Sequence, residues 1–136
     1  MTNKDIAVRE IITKLIEPDG ISLNRIGDYK YESNGKKMNI KTVSDKGLDR
    51  IWVDVAINDL KDMDFIIYCW FNSELTYICS YIIPSYFLRD KLEKHGKKNK
   101  KGTRYHFSIK VRDVLHLDKE HKYPIKEYKN NFSILK

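Results

Sequence analysis

Three polar residues are spaced so that one hairpin could bring them into a single catalytic site. Asp28 precedes the turn residues Asn34 and Gly35, and Asn39 and Lys41 follow them two positions apart. Side chains alternate between the faces of a strand, so Asn39 and Lys41 point the same way. An aspartate on one strand, with a polar residue and a lysine on the next, could hold a metal ion beside an ammonium group. Hydrolysis of a phosphodiester bond by a metal ion uses this combination.

The stretch from Gly27 to Thr42 predicts the hairpin that positions these side chains. Its Asn-Gly pair is the strongest short-range hairpin signal, because both residues tolerate the positive φ of a type I′ turn. We therefore expect Asp28 on the first strand and Asn39 and Lys41 on the second. Opposed or diagonal neighbours on paired strands lie about 5–8 Å apart between Cβ atoms.

This hairpin resembles the core of the PD-(D/E)XK nuclease superfamily, which includes many restriction enzymes and Holliday-junction resolvases. The family pattern is an Asp on one strand, then Glu (or Gln) and Lys flanking an apolar residue on the next. Asp28, Asn39 and Lys41 occupy those positions. Asn39 departs from the pattern, because it offers a neutral carbonyl oxygen where a carboxylate or Gln is expected. Four later segments also resemble the family, namely 51–53, 64–71, 76–84 and 128–135.

The resemblance implies an α/β fold: a central mixed β-sheet flanked by helices, with a restriction-endonuclease-like core. It implies a metal-dependent DNA endonuclease in which Asp28 and Asn39 ligate Mg²⁺ or Mn²⁺. Lys41 would lower the pKa of the attacking water or stabilise transition-state charge. Two alternatives remain open: a catalytically inactive nuclease-like module that binds DNA or a protein partner, and a small interaction protein, such as an inhibitor, with an acidic partner. The family also suggests a homodimer, because cutting two strands needs two sites.

Residues 4–17 predict an amphipathic helix, since apolar side chains recur at helical spacing until the Pro-Asp-Gly at 18–20. Some members of the resembled family place a Glu from their first helix near the metal. Glu10 and Glu17 are the candidates here. At about 100° per residue both fall opposite the apolar stripe, so we expect both to face water.

The remainder of the chain predicts strands with two helical segments between them. The two runs at 64–71 and 76–83 are almost continuously apolar, which is typical of strands buried on both faces. Phe132, Ile134 and Leu135 are expected to dock the end of the chain. The other predictions are strands at 51–55 and 104–111, a short helical turn at 58–63 and a helix at 84–95.

Composition favours one intracellular domain with a polyanionic partner. The 136 residues suit a single domain spanning 1–136, and two cysteines cannot form a disulfide framework, which favours two buried thiols in a reducing compartment. No apolar run approaches the roughly 18 residues needed to cross a bilayer, and no signal-peptide core is seen. We therefore expect a cytoplasmic protein with no membrane partner.

A net charge of +7 favours a polyanionic partner, and the resemblance makes DNA the expected one. The basic loop after His95 contains no acid and could neutralise phosphates along a DNA backbone. Its candidate contact residues are Lys97, Lys98, Lys100, Lys101 and Arg104.

Overall fold

The computed structural model describes residues 11, 14, 20–44, 49–72, 74, 76–110 and 112–135. Most of the helix predicted at 4–17, including Glu10 and Glu17, lies outside these residues. The single domain spanning 1–136 therefore stays a prediction. Within the described part, the strands are β1 (Asn24–Gly27), β2 (Lys30–Ser33), β3 (Lys36–Ser44), β4 (Arg50–Ala56), β5 (Phe65–Phe71), β6 (Tyr77–Pro84), β7 (Lys97–Lys98), β8 (Arg104–Lys110), β9 (Val114–His116) and β10 (Lys122–Pro124). The α-helices are α1 (Ile57–Asp62) and α2 (Ser85–His95), and 3-10 turns cover Lys126–Tyr128 and Phe132–Leu135.

The predicted hairpin is present as β2 and β3, joined by the Asn-Gly turn. Asn34 and Gly35 have φ values of 51° and 76°, the left-handed pair that a type I′ turn requires. The antiparallel register sets Lys30 opposite Asn39 and Ser33 opposite Lys36. The sequence therefore predicted both the turn and the pairing of the strands around it.

The first sheet is mixed, which confirms the predicted α/β class with a mixed sheet. Its strand order is β1-β2-β3-β5-β6, and β3 runs parallel to β5 while the other neighbours are antiparallel. The chain passes from β3 to its parallel neighbour β5 through β4 and α1.

A second sheet contains β4, so the strands do not all join the first sheet. Its order is β10-β9-β8-β4, with β7 also paired to β8, and every pair is antiparallel. On one side of β3, β2 pairs only with residues 36–39, and beyond them no strand of the described residues pairs with that edge. The backbone groups of β4 pair instead with β8, from Arg50 opposite Lys110 to Ala56 opposite Arg104.

Side chains of β5 and β6 are buried on both faces of the first sheet, as the apolar runs predicted. From β5, Tyr68 and Trp70 pack between the two sheets, while Ile67 and Phe71 pack on the opposite face. On that opposite face the C-terminal residues Phe132 and Leu135 are also buried, which confirms the predicted docking of the end of the chain.

The two cysteines do not face each other. Cys69 lies opposite Ser80, while Cys79 lies opposite Trp70, so the two thiols belong to different faces of the sheet. Both are free and buried, as predicted. Burial raises the pKa of the Cys69 thiol to about 12, so it stays protonated and unreactive at neutral pH.

The boundaries of α2 follow the predicted signals. Pro84 precedes its first residue, and Gly96 ends it by donating its backbone N–H to Leu92 O at 2.8 Å. A Cβ at position 96 would lie 2.6 Å from Leu92 O and 2.8 Å from the Tyr105 ring, so glycine is required there for close packing.

In the described part of the chain, no helix is long and apolar enough to cross a bilayer.

Candidate functional site: a lysine cluster beside β4

The alternation along β3 separates its core residues from its polar ones. Met38 and Ile40 are buried on the face that packs against the end of the chain. Asn39 and Lys41 therefore point to the other face, toward β4 and α1. The predicted pair of polar side chains does share one face.

Asn39 is almost fully buried, with 2% of its surface exposed. Its Nδ2 donates to Asp59 Oδ2 at 3.0 Å, which is the expected orientation because a carboxylate only accepts. Lys30, opposite Asn39 on β2, lies with Nζ 3.7 Å from the other oxygen of Asp59. Among the described residues, Asn39 Oδ1 has no hydrogen-bond partner. One buried amide oxygen thus remains available to a donor or a cation.

Lys41 contacts a different aspartate. Its Nζ donates to Asp54 Oδ1 and to the Asp54 backbone oxygen, each at 3.4 Å. Arg104 holds the same carboxylate with two parallel bonds, Nε to Oδ2 at 3.2 Å and Nη2 to Oδ1 at 3.0 Å. Tyr68 OH donates to the Asp54 backbone oxygen at 2.9 Å. Two cations and one phenol therefore converge on Asp54.

We call these residues the Lys41 cluster: Lys30, Asn39, Lys41, Asp54, Asp59, Tyr68 and Arg104. Burial lowers the pKa of the Lys41 ammonium, and the attraction of Asp54 only partly offsets that effect. Burial by itself raises the pKa of Asp54, but hydrogen bonds and attraction from Arg104 and Lys41 outweigh it and leave that pKa below its ordinary value. Ionisable groups perturbed in this way by burial and by named partners concentrate at functional sites.

The cluster opens to solvent through a cleft of about 280 Å³ beside the exposed edge of β4. We call it the Lys41 cleft. A phosphate that entered it would meet the Lys41 ammonium beside Asp54. Its lining is formed by Lys41, Thr42, Val43, Trp52, Val53, Asp54, Tyr68 and His106.

Asp28 lies elsewhere than predicted. It belongs to the two-residue turn between β1 and β2 rather than to a strand, and the next residue, Tyr29, has a φ of 61°. Its side chain is 94% exposed and accepts from Arg25 Nη2 at 3.3 Å. The first strand of the hairpin begins at Lys30, later than predicted, because Asp28 and Tyr29 form a turn. Whether Asp28 serves the site stays a prediction.

Mg²⁺ takes oxygen ligands, which carboxylates and amide carbonyls supply. Within the described residues, no three His, Cys, Asp or Glu side chains are grouped to share a metal ion. Asp54 is saturated by Lys41 and Arg104. Asn39 Oδ1 and Asp59 Oδ1 fit better, since the first has no partner in the described structure and the second has only the loose contact of Lys30. Among the side-chain oxygens of Asn39, Asp54 and Asp59, these two are the ones with no hydrogen bond in the described structure.

The lysines of the basic loop lie in two settings, a short strand and an exposed turn. Lys97 and Lys98 form β7 and pair with β8, and Lys98 Nζ lies 5.6 Å from the centroid of the Tyr105 ring. Lys100 and Lys101 are exposed in the following turn, which Asn99 stabilises by accepting from the Thr103 backbone N–H at 2.9 Å. Arg104 is bound to Asp54. Contact of these side chains with nucleic acid stays a prediction.

Sequence reasoning missed Asp54, Asp59 and Tyr68. A weak signal existed for Asp54, because it alternates with the apolar residues of β4 and so points away from the core. No signal existed for Asp59 or Tyr68. Their contacts join positions 20 and 14 residues apart, and only the packing of the two sheets decides them.

Comparison with known proteins identifies no family for this chain. No protein-family model matches the chain, and no curated protein matches it. Among solved structures, the chain is similar to Hjc, a Holliday junction resolvase from Archaeoglobus fulgidus, at 7% sequence identity. The match covers 81% of this chain and 85% of that one, with a TM-score of 0.42. A similarity this weak carries no argument about what this chain does.

Proposed function

We propose that this chain acts on DNA as a metal-dependent nuclease of the PD-(D/E)XK type, with the Lys41 cluster as its site. The observation that carries the proposal is the pair of a buried Asn39 and a part-buried Lys41 beside two aspartates, with Lys41 and Asp54 lining a cleft. Burying a lysine and an amide costs stability unless partners compensate, and such groups are common where a site needs them. The resemblance of the hairpin and the charge of +7 support DNA as the substrate.

Each residue of the cluster has a role in this proposal. Lys41 supplies positive charge beside the reacting phosphate, and Arg104 fixes Asp54 so that Lys41 keeps its position. Asn39 and Asp59 would hold Mg²⁺ through Oδ1 atoms, in place of the predicted pair Asp28 and Asn39. When bound, the ion supplies a more acidic water and neutralises charge on the phosphate.

The test is cleavage of plasmid, single-stranded and branched DNA with Mg²⁺ or Mn²⁺, comparing the wild type with Lys41→Met. We expect the variant to lose at least about a hundredfold in rate, the usual effect of removing one group that stabilises the transition state. Lys37→Met is the matched control, because Lys37 is exposed on the same face of β3. Equal rates for the wild type and Lys41→Met under every condition would refute the nuclease proposal.

Two further variants identify the carboxylate. Asp59→Ala and Asp28→Ala should differ, and the one that abolishes cleavage contains the ligand. Asn39→Glu should tighten Mg²⁺ binding in calorimetry, because it adds an anionic ligand beside Asp59. A homodimer, which cutting two strands would use, is checked by light scattering with and without DNA.

A second candidate function is a nuclease-like module that binds DNA without cutting it. The observation that favours it is the saturation of Asp54, both of whose oxygens are held by Arg104 and Lys41. This candidate predicts salt-dependent DNA binding by the wild type with no cleavage above the Lys41→Met background. Absence of DNA binding even at low salt would instead favour an acidic protein partner.

A further inference from the structure

The outer face of the second sheet carries a row of side chains that the Lys41 cluster does not use. Trp52 on β4 lies opposite Ser108 on β8, and Ser108 lies opposite His116 on β9. Residues directly opposite in antiparallel strands project from the same face. His106 lies on the same face, because it is two residues from Ser108, and Lys97 is its partner on β7.

These side chains line a cleft of about 630 Å³, which we call the outer-face cleft. This volume lies within the range of about 300–1,000 Å³ typical of small-ligand sites. Trp52 is 64% exposed, and the Arg50 guanidinium lies 5.1 Å from the centroid of its ring. Arg50 thus holds the indole in place while most of the indole surface stays open to a ligand.

Two polar atoms in the lining of the cleft are unsatisfied. Ser108 is 1% exposed, and within the described structure neither its Oγ nor His116 Nδ1 has a hydrogen-bond partner. Unpaired buried polar groups of this kind cost free energy, which a ligand oxygen beside them would recover.

The lining is predominantly cationic. Arg50, Lys97 and Lys119 contribute positive charge, and His106 and His116 add nitrogen donors. Of the two acids, Asp118 is already engaged, since it accepts from His121 Nδ1 at 2.8 Å and from two backbone N–H groups. Glu120 is the other, and it lies on the exposed rim. An anion would therefore find more opposite than like charge here.

We propose that the outer-face cleft binds a nucleotide, with its base against Trp52 and its phosphate among Arg50, Lys97 and His116. An exposed indole next to fixed cations is the combination that proteins use to hold unpaired bases. A base within a duplex is stacked and paired, so the ligand is a free nucleotide or an unpaired unit of a strand. The site needs neither a metal ion nor cleavage, and so extends beyond the function proposed above.

The two clefts share Trp52 and His106. A strand with one base against Trp52 would have its neighbouring phosphate near the entrance of the Lys41 cleft. The outer-face cleft would in that case select unpaired or branched positions for the chemistry next to it.

Calorimetry without metal tests the proposal, using dAMP, adenosine, inorganic phosphate and a short oligo(dA). We expect dAMP to bind more tightly than adenosine or phosphate, since each of these retains only half of the contacts. Trp52→Ala should weaken dAMP binding about tenfold or more, because stacking of one base contributes on this scale. Tyr86→Ala is the matched control: Tyr86 is 67% exposed but lies on α2, outside the cleft lining.

The other measurable outcomes also either support or overturn binding of a nucleotide in the outer-face cleft. Chemical-shift changes of the His116 ring on adding dAMP would support it, independently of whether Trp52→Ala folds. No binding of dAMP at millimolar concentration, or equal affinities for dAMP and phosphate, would overturn it. Tighter binding of oligo(dA) than dAMP would support a strand as the ligand, and equal binding per site would support a free nucleotide. Because no step involves hydrolysis, failure of the nuclease proposal leaves these results unchanged.

Discussion

In the Lys41 cluster each cation lies beside an aspartate, whereas in the outer-face cleft and next to it the cations lie beside one another. Lys41 and Arg104 share Asp54, and Lys30 lies near Asp59. On the outer face, burial lowers the pKa of His116, and Lys110, Lys122 and Arg50 lower it further by repulsion.

The difference separates two uses of positive charge in one small protein. A cluster neutralised from within is stable without a ligand, and a phosphate must compete with Asp54 for its cations. In the outer-face cleft, Asp118 is paired with His121 and no salt bridge joins either lining acid to Arg50, Lys97 or Lys119 within the described residues, so an anion meets less competition there. Affinity for phosphate should therefore come mainly from the outer face, and positioned charge for chemistry from the Lys41 cluster.

The largest expected effect comes from removing the anion of the cluster. Asp54→Asn leaves Lys41 and Arg104 without their carboxylate and should lower the free energy of unfolding at pH 7 by about 1–2 kcal/mol. Breaking a fully buried pair costs about 3–5 kcal/mol, and the expected loss is smaller here because the Asp54 side chain is 40% exposed. Urea denaturation of both proteins measures the difference.

The same pair of proteins gives a pH dependence with a defined sign. Because the folded pKa of Asp54 is below its ordinary value, its contribution is complete above the unfolded pKa of about 3.9 and disappears as pH falls through the folded pKa. The wild-type and Asp54→Asn stabilities should therefore converge in acid. Asp62→Asn, which changes an exposed aspartate on α1, is the control. Its curve of stability against pH should match that of the wild type. Stability curves that stay parallel throughout the acid range would contradict this assignment.

A smaller effect, on the binding of DNA, is expected from replacing the lysines of the basic loop. Replacing Lys97, Lys98, Lys100 and Lys101 by Ala should flatten the log–log salt dependence of duplex binding by up to about 0.9 for each phosphate that the loop no longer neutralises. The structure sharpens this expectation, because Lys97 lines the outer-face cleft while Lys101 lies in an exposed turn. Lys97→Ala alone should therefore weaken oligo(dA) binding more than Lys101→Ala. An unchanged slope in the fourfold variant would show that the loop does not touch the DNA backbone.

The smallest expected effect is on stability, from replacing Lys110. Burial lowers the pKa of its ammonium, and repulsion from Arg50 and Lys122 lowers it further. Lys110→Met removes one member of this group of cations and should leave the urea midpoint unchanged or slightly higher. Lys41→Met, which removes a paired cation, should shift the midpoint down. Destabilisation of similar size in both variants would remove the distinction between the two regions.

The sequence by itself determined the local features of this protein. The Asn-Gly turn, the alternation that sets Asn39 and Lys41 on one face of β3, and the doubly buried strands β5 and β6 were all predicted correctly. Each depends on φ preferences or on side-chain period, which neighbouring residues set without reference to the remainder of the chain.

Only the tertiary structure decided which side chains meet. It turned Asp28 out to solvent beside Arg25, and it brought Asp54, Asp59 and Arg104 to the polar pair on β3. It also aligned Trp52, Ser108 and His116 in one row from three separate strands. The reason is that β4 pairs with β8 rather than with β3, which sets Trp52 beside Ser108 and leaves Asp54 within reach of Lys41. The pairing of strands so far apart in the chain depends on the packing of the whole domain, and no local pattern along the chain encodes it.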